Sequence, residues 1–233
     1  MPVHIHPTAP LARRALLPGD PGRALALAQL VMSEPKMFNH NRGLWGYTGT
    51  AADGEPLTIQ STGMGGPSAA IVLEELCDLG LEVALRVGTC GALHDDLALG
   101  DLVIADAALA SDGASRALGA DGRVTADAGL VAALAAADGA AGARTGAVAS
   151  SDLFYDRDPE RTAGWRQAGA LAVEMEAATL LRVGELRAIR VGCLLAVSDV
   201  FEADGARRRI DAEALVQAAE RLGRVGAAAL AGP

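Results

Sequence analysis

The sequence predicts an α/β fold, a single domain over residues 1–233 with a central mixed, largely parallel sheet flanked by helices. Short apolar runs of strand length recur along the chain, separated by longer stretches with helical periodicity. That alternation is the pattern of a mostly parallel sheet covered on both faces. The 51% apolar content over 233 residues supplies a substantial core, and no linker, repeat or charge block divides the chain.

Taken in order, RALL at 14–17 is the first strand. PGDPGR follows it, and Pro21 presets the first turn of a helix over 20–32. LTIQST at 57–62 is the second strand, and GMGGPS leads from it into a helix over 67–79. EVALRVG at 82–88 and DLVIADAAL at 101–109 are the third and fourth strands. The Ala- and Gly-rich segment 126–147 is compositionally biased, yet its apolar residues suit a helix over 126–138 running into the strand TGAVA at 145–149. Helical patterns at 159–168 and 176–187 precede the last strand, IRVGCLLAV at 189–197, and a closing helix spans 211–230.

A net charge of -9 leaves no basic footprint for nucleic acid or an acidic membrane surface, so the expected partner is a small molecule. Lys36 is the single lysine among 20 basic residues, so an anion site has to be built from arginine, whose planar fork suits phosphate. Cys77, Cys90 and Cys193 are odd in number and lack CxxC spacing, which fits reduced thiols. The N-terminus has no signal-peptide pattern and no run approaches the ~20 apolar residues of a membrane span, so a cytoplasmic location is expected. His4, His6, His40 and His94 form no recognisable metal-ligand set.

In open α/β sheets, ligands bind beyond the carboxyl ends of the strands, and several motifs fall there. In LLPGDPGRA at 16–24, Gly19 permits close backbone approach and Arg23 lies on the first helical turn. Helix amides plus a guanidinium make an anion site, although a plain strand-to-helix turn reads the same way. RVGTCGAL pairs Arg86 with Gly88, Thr89 and Gly91, either as a second anion loop or as a glycine turn. Neither matches the P-loop nucleotidase pattern. In VEMEAATLL at 173–181, Glu174 and Glu176 interrupt an apolar region, and extended backbone would project both to one side. Carboxylates there can accept the paired hydroxyls of a sugar diol, with Met175 as an apolar platform. VSDV at 197–200 places Ser198 and Asp199 at a strand end, where a partly desolvated acid can donate a proton or simply cap the next segment. SDLFYDRD at 151–158 puts Phe154 and Tyr155 in a loop of a chain with 3% aromatics, for packing or for a planar ligand.

Together, LLPGDPGRA, NHNRGLWGYTGT, STGMGGPSAAIVLEEL, RVGTCGAL, SSDLFY, VEMEAATLL and VSD resemble, in order and over nearly the whole length, the bacterial-type (hexameric) nucleoside phosphorylases. That family holds purine nucleoside phosphorylase and uridine phosphorylase. The resemblance implies that Gly19, Arg23, Arg86 and Thr89 hold inorganic phosphate as co-substrate, with Arg42 reaching it from a neighbouring subunit. It implies further that Glu176 binds the ribose hydroxyls, with Met175 beneath the sugar and Glu174 close by. Phe154 and Val173 would line the base pocket, flanked by Ser198 and Asp199, and Asp199 and Arg86 would carry the catalysis. His4 would approach the ribose 5′-hydroxyl from the partner subunit, with His6 a competing match. A further arginine assists the acid in purine members; Arg207, Arg208 and Arg209 all lie near enough, at a different spacing. No metal or organic cofactor is implied. The assembly implied is a homohexamer built from dimers that share active sites.

The substrate within the family is read separately. Pyrimidine members carry a glutamine and an arginine in an insert that the short connection YDRDPERTAGW lacks, and Asp199 suits a purine N7. Purine (deoxy)ribonucleosides are therefore expected, with uridine phosphorylase as the alternative. A phosphate-independent nucleosidase has no use for Arg23, Arg42 and Arg86 around one anion. A non-catalytic nucleoside-binding protein has no use for a proton donor.

Overall fold

The structure is a computed structural model that describes residues 2–201 and 207–231. Its elements run β1 (Arg14–Leu17), α1 (Pro21–Val31), β2 (Met32–Asn39), β3 (Gly46–Ala51), β4 (Pro56–Gln60), α2 (Gly66–Asp78) and β5 (Val83–Ala92). There follow β6 (Leu102–Ala110), α3 (Gly113–Ala117), β7 (Arg123–Thr125), α4 (Ala128–Ala136), β8 (Arg144–Ser150) and α5 (Pro159–Gln167). The chain closes with β9 (Ala172–Glu174), α6 (Ala177–Arg187), β10 (Arg190–Phe201), β11 (Arg207–Arg209) and α7 (Ala212–Leu230). Among the described residues no helix is long and apolar enough to cross a membrane.

All six expected strands and all six expected helices form. β1 lies parallel between β4 and β5, β5 lies parallel to β10, and β6 lies parallel to β8. Only the β6–β10 ladder among these six runs antiparallel. The other strands make the sheet more mixed than the apolar runs alone implied: β2 and β3 add an antiparallel hairpin onto β4, and β7, β9 and β11 add short antiparallel ladders. β2 escapes the apolar pattern because positions 33–37 are exposed and include Pro35, which an edge strand tolerates. The pairings β10–β6, β6–β8, β8–β9, β9–β5 and β5–β10 close part of the sheet into a ring.

The uninterrupted apolar strands follow from burial on both faces. Along β10, Cys193, Leu195 and Val197 pack into one core, which includes α2 and α6, while Leu194 and Ala196 enter a second core with α1, α4 and α7. Because β1, β4, β5 and β10 run parallel, the loops and strand ends that follow Leu17, Gln60, Gly88 and Val197 all emerge at one edge of the sheet. The expected motifs are gathered there.

Helix α6, which begins beside those loops, touches β10 through a glycine. A methyl on Gly184 would lie 2.5 Å from Cγ2 and 3.1 Å from Cβ of Val191, whose branched side chain has little rotamer freedom. Gly184→Ala therefore sets an overlap costing ~1–3 kcal/mol against a helix-propensity gain of ~1 kcal/mol. The expected outcome is a melting temperature lower by about 2–4 °C, read by calorimetry; a higher value would mean that Val191 yields.

Candidate active site

A cavity of about 770 Å³ opens at this edge. It is lined by the β1–α1 loop, the ends of β5 and β10, the strand-to-helix junction at Glu176, the loop after β8, and β11. Of the expected phosphate residues, Gly19, Arg23, Arg86 and Thr89 line it. So do Glu174, Met175 and Glu176 of the expected ribose set, and Phe154, Val173, Ser198 and Asp199 of the base set. His4 and Arg42 do not. His4 Nδ1 lies 2.7 Å from Oε1 of Glu75 on α2, and the Asn41 side-chain amide donates to the His4 carbonyl at 2.8 Å. Partial burial acts against the Glu75 charge, but backbone amides of Ile5, His4 and Val3 and the His4 ring hold its carboxyl at about 2. Arg42, next to Asn41, is exposed and adopts a left-handed φ of 57°. The terminal segment and the 39–44 loop thus meet through Asn41, with His4 and Arg42 both outside the cavity lining.

Arg86 is the centre of the site and is only 4% exposed. Its Nε donates to Glu174 Oε2 at 2.8 Å, and an Nη2 contacts Glu176 Oε2 at 2.5 Å. Burial acts to lower its pKa, but Glu176 and Glu174 more than offset it, so the value is raised and the guanidinium stays charged. Nη1, the remaining guanidinium nitrogen, is buried with no hydrogen-bond partner among the described residues. A fixed, buried donor of this kind suits a ligand acceptor. Gly88 makes the arrangement possible: the guanidinium lies over its backbone, where a methyl would come within 2.8 Å of Nη2 and 2.9 Å of Cζ.

The strand β9 ends at Glu174, and Glu176 already stands at the N-terminal cap of α6. The pair still converges, as the spacing implied, but through a strand-to-helix turn in place of continuous extension. Glu176 accepts the Gly65 amide at 2.5 Å. Burial pushes its carboxyl up, the Glu174 charge adds to this, and Arg86 opposes. Glu174 is occupied differently: it accepts from Ser150 Oγ at 2.5 Å and from the amides of Glu176 and Ala177 at 2.9 Å. Its oxygens therefore tie the first turn of α6 to Arg86.

Asp20 caps α1 by accepting the Arg23 amide at 2.6 Å. Burial lowers the Arg23 pKa, Asp20 opposes, and the like charges of Arg86 and Arg209 lower it further. Three arginines therefore stand close enough to feel one another's charge, which favours an anion among them.

Asp199, 2% exposed, accepts from Ser198 Oγ at 2.6 Å on Oδ2, from Arg207 Nε at 2.9 Å on Oδ1, and from Arg209 Nη1 at 3.4 Å. Strand alternation settles which arginines reach it. β11 pairs Asp199 with Arg209 and Phe201 with Arg207, so those two share a face and Arg208 points the other way. Residues 202–206, between β10 and β11, lie outside the described residues. Phe201, which no motif singled out, also lines the cavity, its ring against Gly91. Its only sequence signal is an aromatic two positions after Asp199.

The cavity thus joins a cluster of arginines, a buried carboxylate pair, exposed aromatic and apolar side chains and the buried Asp199. Residues 13–231 match the Phosphorylase superfamily. Among curated relatives, the chain is 38% identical over 186 residues to a guanosine phosphorylase of Halorubrum lacusprofundi, covering 78% of this chain and 76% of that one. It is 37% identical over 205 residues to a DeoD-type purine nucleoside phosphorylase of Geobacillus kaustophilus, covering 85% and 86%. Against a DeoD-type purine nucleoside phosphorylase of Clostridium perfringens the identity is 36% over 194 residues, covering 81% and 82%. With the matched residues reaching from β1 through α7, the chain belongs to the phosphorylase superfamily.

Proposed function

We propose that the protein cleaves purine (deoxy)ribonucleosides by phosphorolysis, releasing the free base and the pentose 1-phosphate. The observation that carries this reading is the unpartnered Nη1 of Arg86, buried in the same cavity as Glu176 and Asp199. Inorganic phosphate is the co-substrate, held by Arg86, Arg23, Thr89 and the Gly19 loop, with no metal or organic cofactor. The names of the relatives, purine nucleoside and guanosine phosphorylases, support purines over uridine.

In this mechanism Glu176 accepts the ribose hydroxyls over Met175, and Glu174 positions both Arg86 and the first turn of α6. A phosphate oxygen bonds to C1′ as the C1′–N9 bond breaks, and the electron pair of that bond passes to the purine. Asp199 gives its proton to N7, and Arg207 steadies the carboxylate left behind. The positive charge developing on the sugar is met by the phosphate and Glu176. Phe154, Val173 and Ser198 line the base side.

His4 and Arg42, displayed outside this cavity, are assigned to a neighbouring subunit's pocket, which makes a dimer the smallest working unit and a homohexamer of such dimers the proposed assembly. The three free cysteines suit a reducing compartment, and the cytoplasm is the proposed place of action.

Purified protein given inosine, guanosine, adenosine and uridine is expected to release base from the purine nucleosides only when phosphate is present; release that ignores phosphate points to a nucleosidase, and none at all to a binding protein. Asp199→Asn should lower kcat by about 10²- to 10⁴-fold while the KM for phosphate stays within about threefold, and equal losses in both would remove the acid role. Gly88→Ala displaces the Arg86 guanidinium while leaving every phosphate-holding side chain unsubstituted. It should raise the KM for phosphate by about tenfold or more, and an unchanged value would show that Arg86 does not hold the anion.

A further inference from the structure

We infer that Phe154 is a positioning residue for the proton donor: its ring holds the Arg207 guanidinium, which in turn steadies Asp199. This rests on the phosphorolytic reading above. The Arg207 guanidinium carbon stands 3.9 Å from the centre of the Phe154 ring, while Nε of the same group donates to Asp199 Oδ1 at 2.9 Å. One guanidinium therefore bridges an aromatic face and the buried acid. Arg209 has no ring against it among the described residues, is 56% exposed, and reaches Asp199 at 3.4 Å.

The bridge matters because of where Arg207 stands. It begins β11, a strand of three residues whose register is fixed only by its short ladder with β10. A cation on an aromatic face is both attracted and oriented. The Tyr155 ring stands against that of Phe154 in a T-shaped contact, at 5.0 Å and 83°. Phe154 is 44% exposed, so core packing does not account for its place.

When the C1′–N9 bond breaks, N7 takes the proton of Asp199, and the new carboxylate gains most from a guanidinium already in place. A nucleoside methylated at N7 carries its positive charge from the start, so its base leaves without that proton. The two substrates separate the role of Phe154 in positioning the acid from any role in stacking on the base.

The experiment measures kcat at saturating phosphate for guanosine and N7-methylguanosine with the wild-type protein, Phe154→Leu and Phe154→Tyr. Leu keeps apolar bulk and removes the aromatic face; Tyr keeps the face. The expected result is a drop in kcat of about threefold to thirtyfold for guanosine with Phe154→Leu, a change within about twofold for N7-methylguanosine, and recovery on guanosine with Phe154→Tyr. Equal drops on both nucleosides, or no drop on guanosine, overturn the inference while the phosphorylase reading stands. Wild-type protein that releases base from neither nucleoside overturns the reading and the inference with it. Phe154→Met repeats the comparison should the Leu variant melt early.

Discussion

The site depends on one buried ion cluster, Arg86 between Glu174 and Glu176. Removing such charges from water costs several kcal/mol per ion unless their partners are complete. Here the completion is specific: Ser150 Oγ and two α6 amides fill Glu174, the Gly65 amide serves Glu176, and Gly88 leaves room for the guanidinium. Because two carboxylates face one guanidinium, the trio is net negative when both are ionised and would by itself repel phosphate. Arg23 and Arg209 correct the balance. The arginine cluster thus offsets the carboxylate pair, which Arg86 alone would leave with a net negative charge.

The sheet brings these groups together by register. Arg86 on β5 pairs with Leu17 of β1 on one side and Cys193 of β10 on the other. Two and six residues beyond those partners come Gly19 and Asp199. Both lie beyond Arg86 toward the same edge of the sheet, on its two flanking strands or the loop after them, and line the one cavity.

What was legible in the sequence follows from burial. Strands buried on both faces, such as IRVGCLLAV, read as continuous apolar runs, and Pro21 and Pro67 mark the starts of α1 and α2. β2 was hidden because its solvent-facing middle, with Pro35 and Lys36, has no apolar pattern, and β7, β9 and β11 are three residues each, too short for a period to show. Glu174 and Glu176 could be read as partners from their spacing. That Glu174 is saturated by Ser150 and helix amides could not, because Ser150 approaches from β8 and the sequence holds no sign of that register. The arginine serving Asp199 was undetermined for the same reason: Arg207 and Arg209 are selected by cross-strand pairing after a connection without apolar alternation.

The ring formed by β5, β10, β6, β8 and β9 has a mechanical consequence. A sheet wrapped onto itself cannot splay, so the strands carrying Arg86, Asp199 and Glu174 are braced like the staves of a cask. What lies off the ring can yield when a ligand enters, and that includes the β1–α1 loop, the Phe154 loop and the short β11. The strand-borne groups Arg86, Asp199 and Glu174 keep their spacing while the lining around them adjusts.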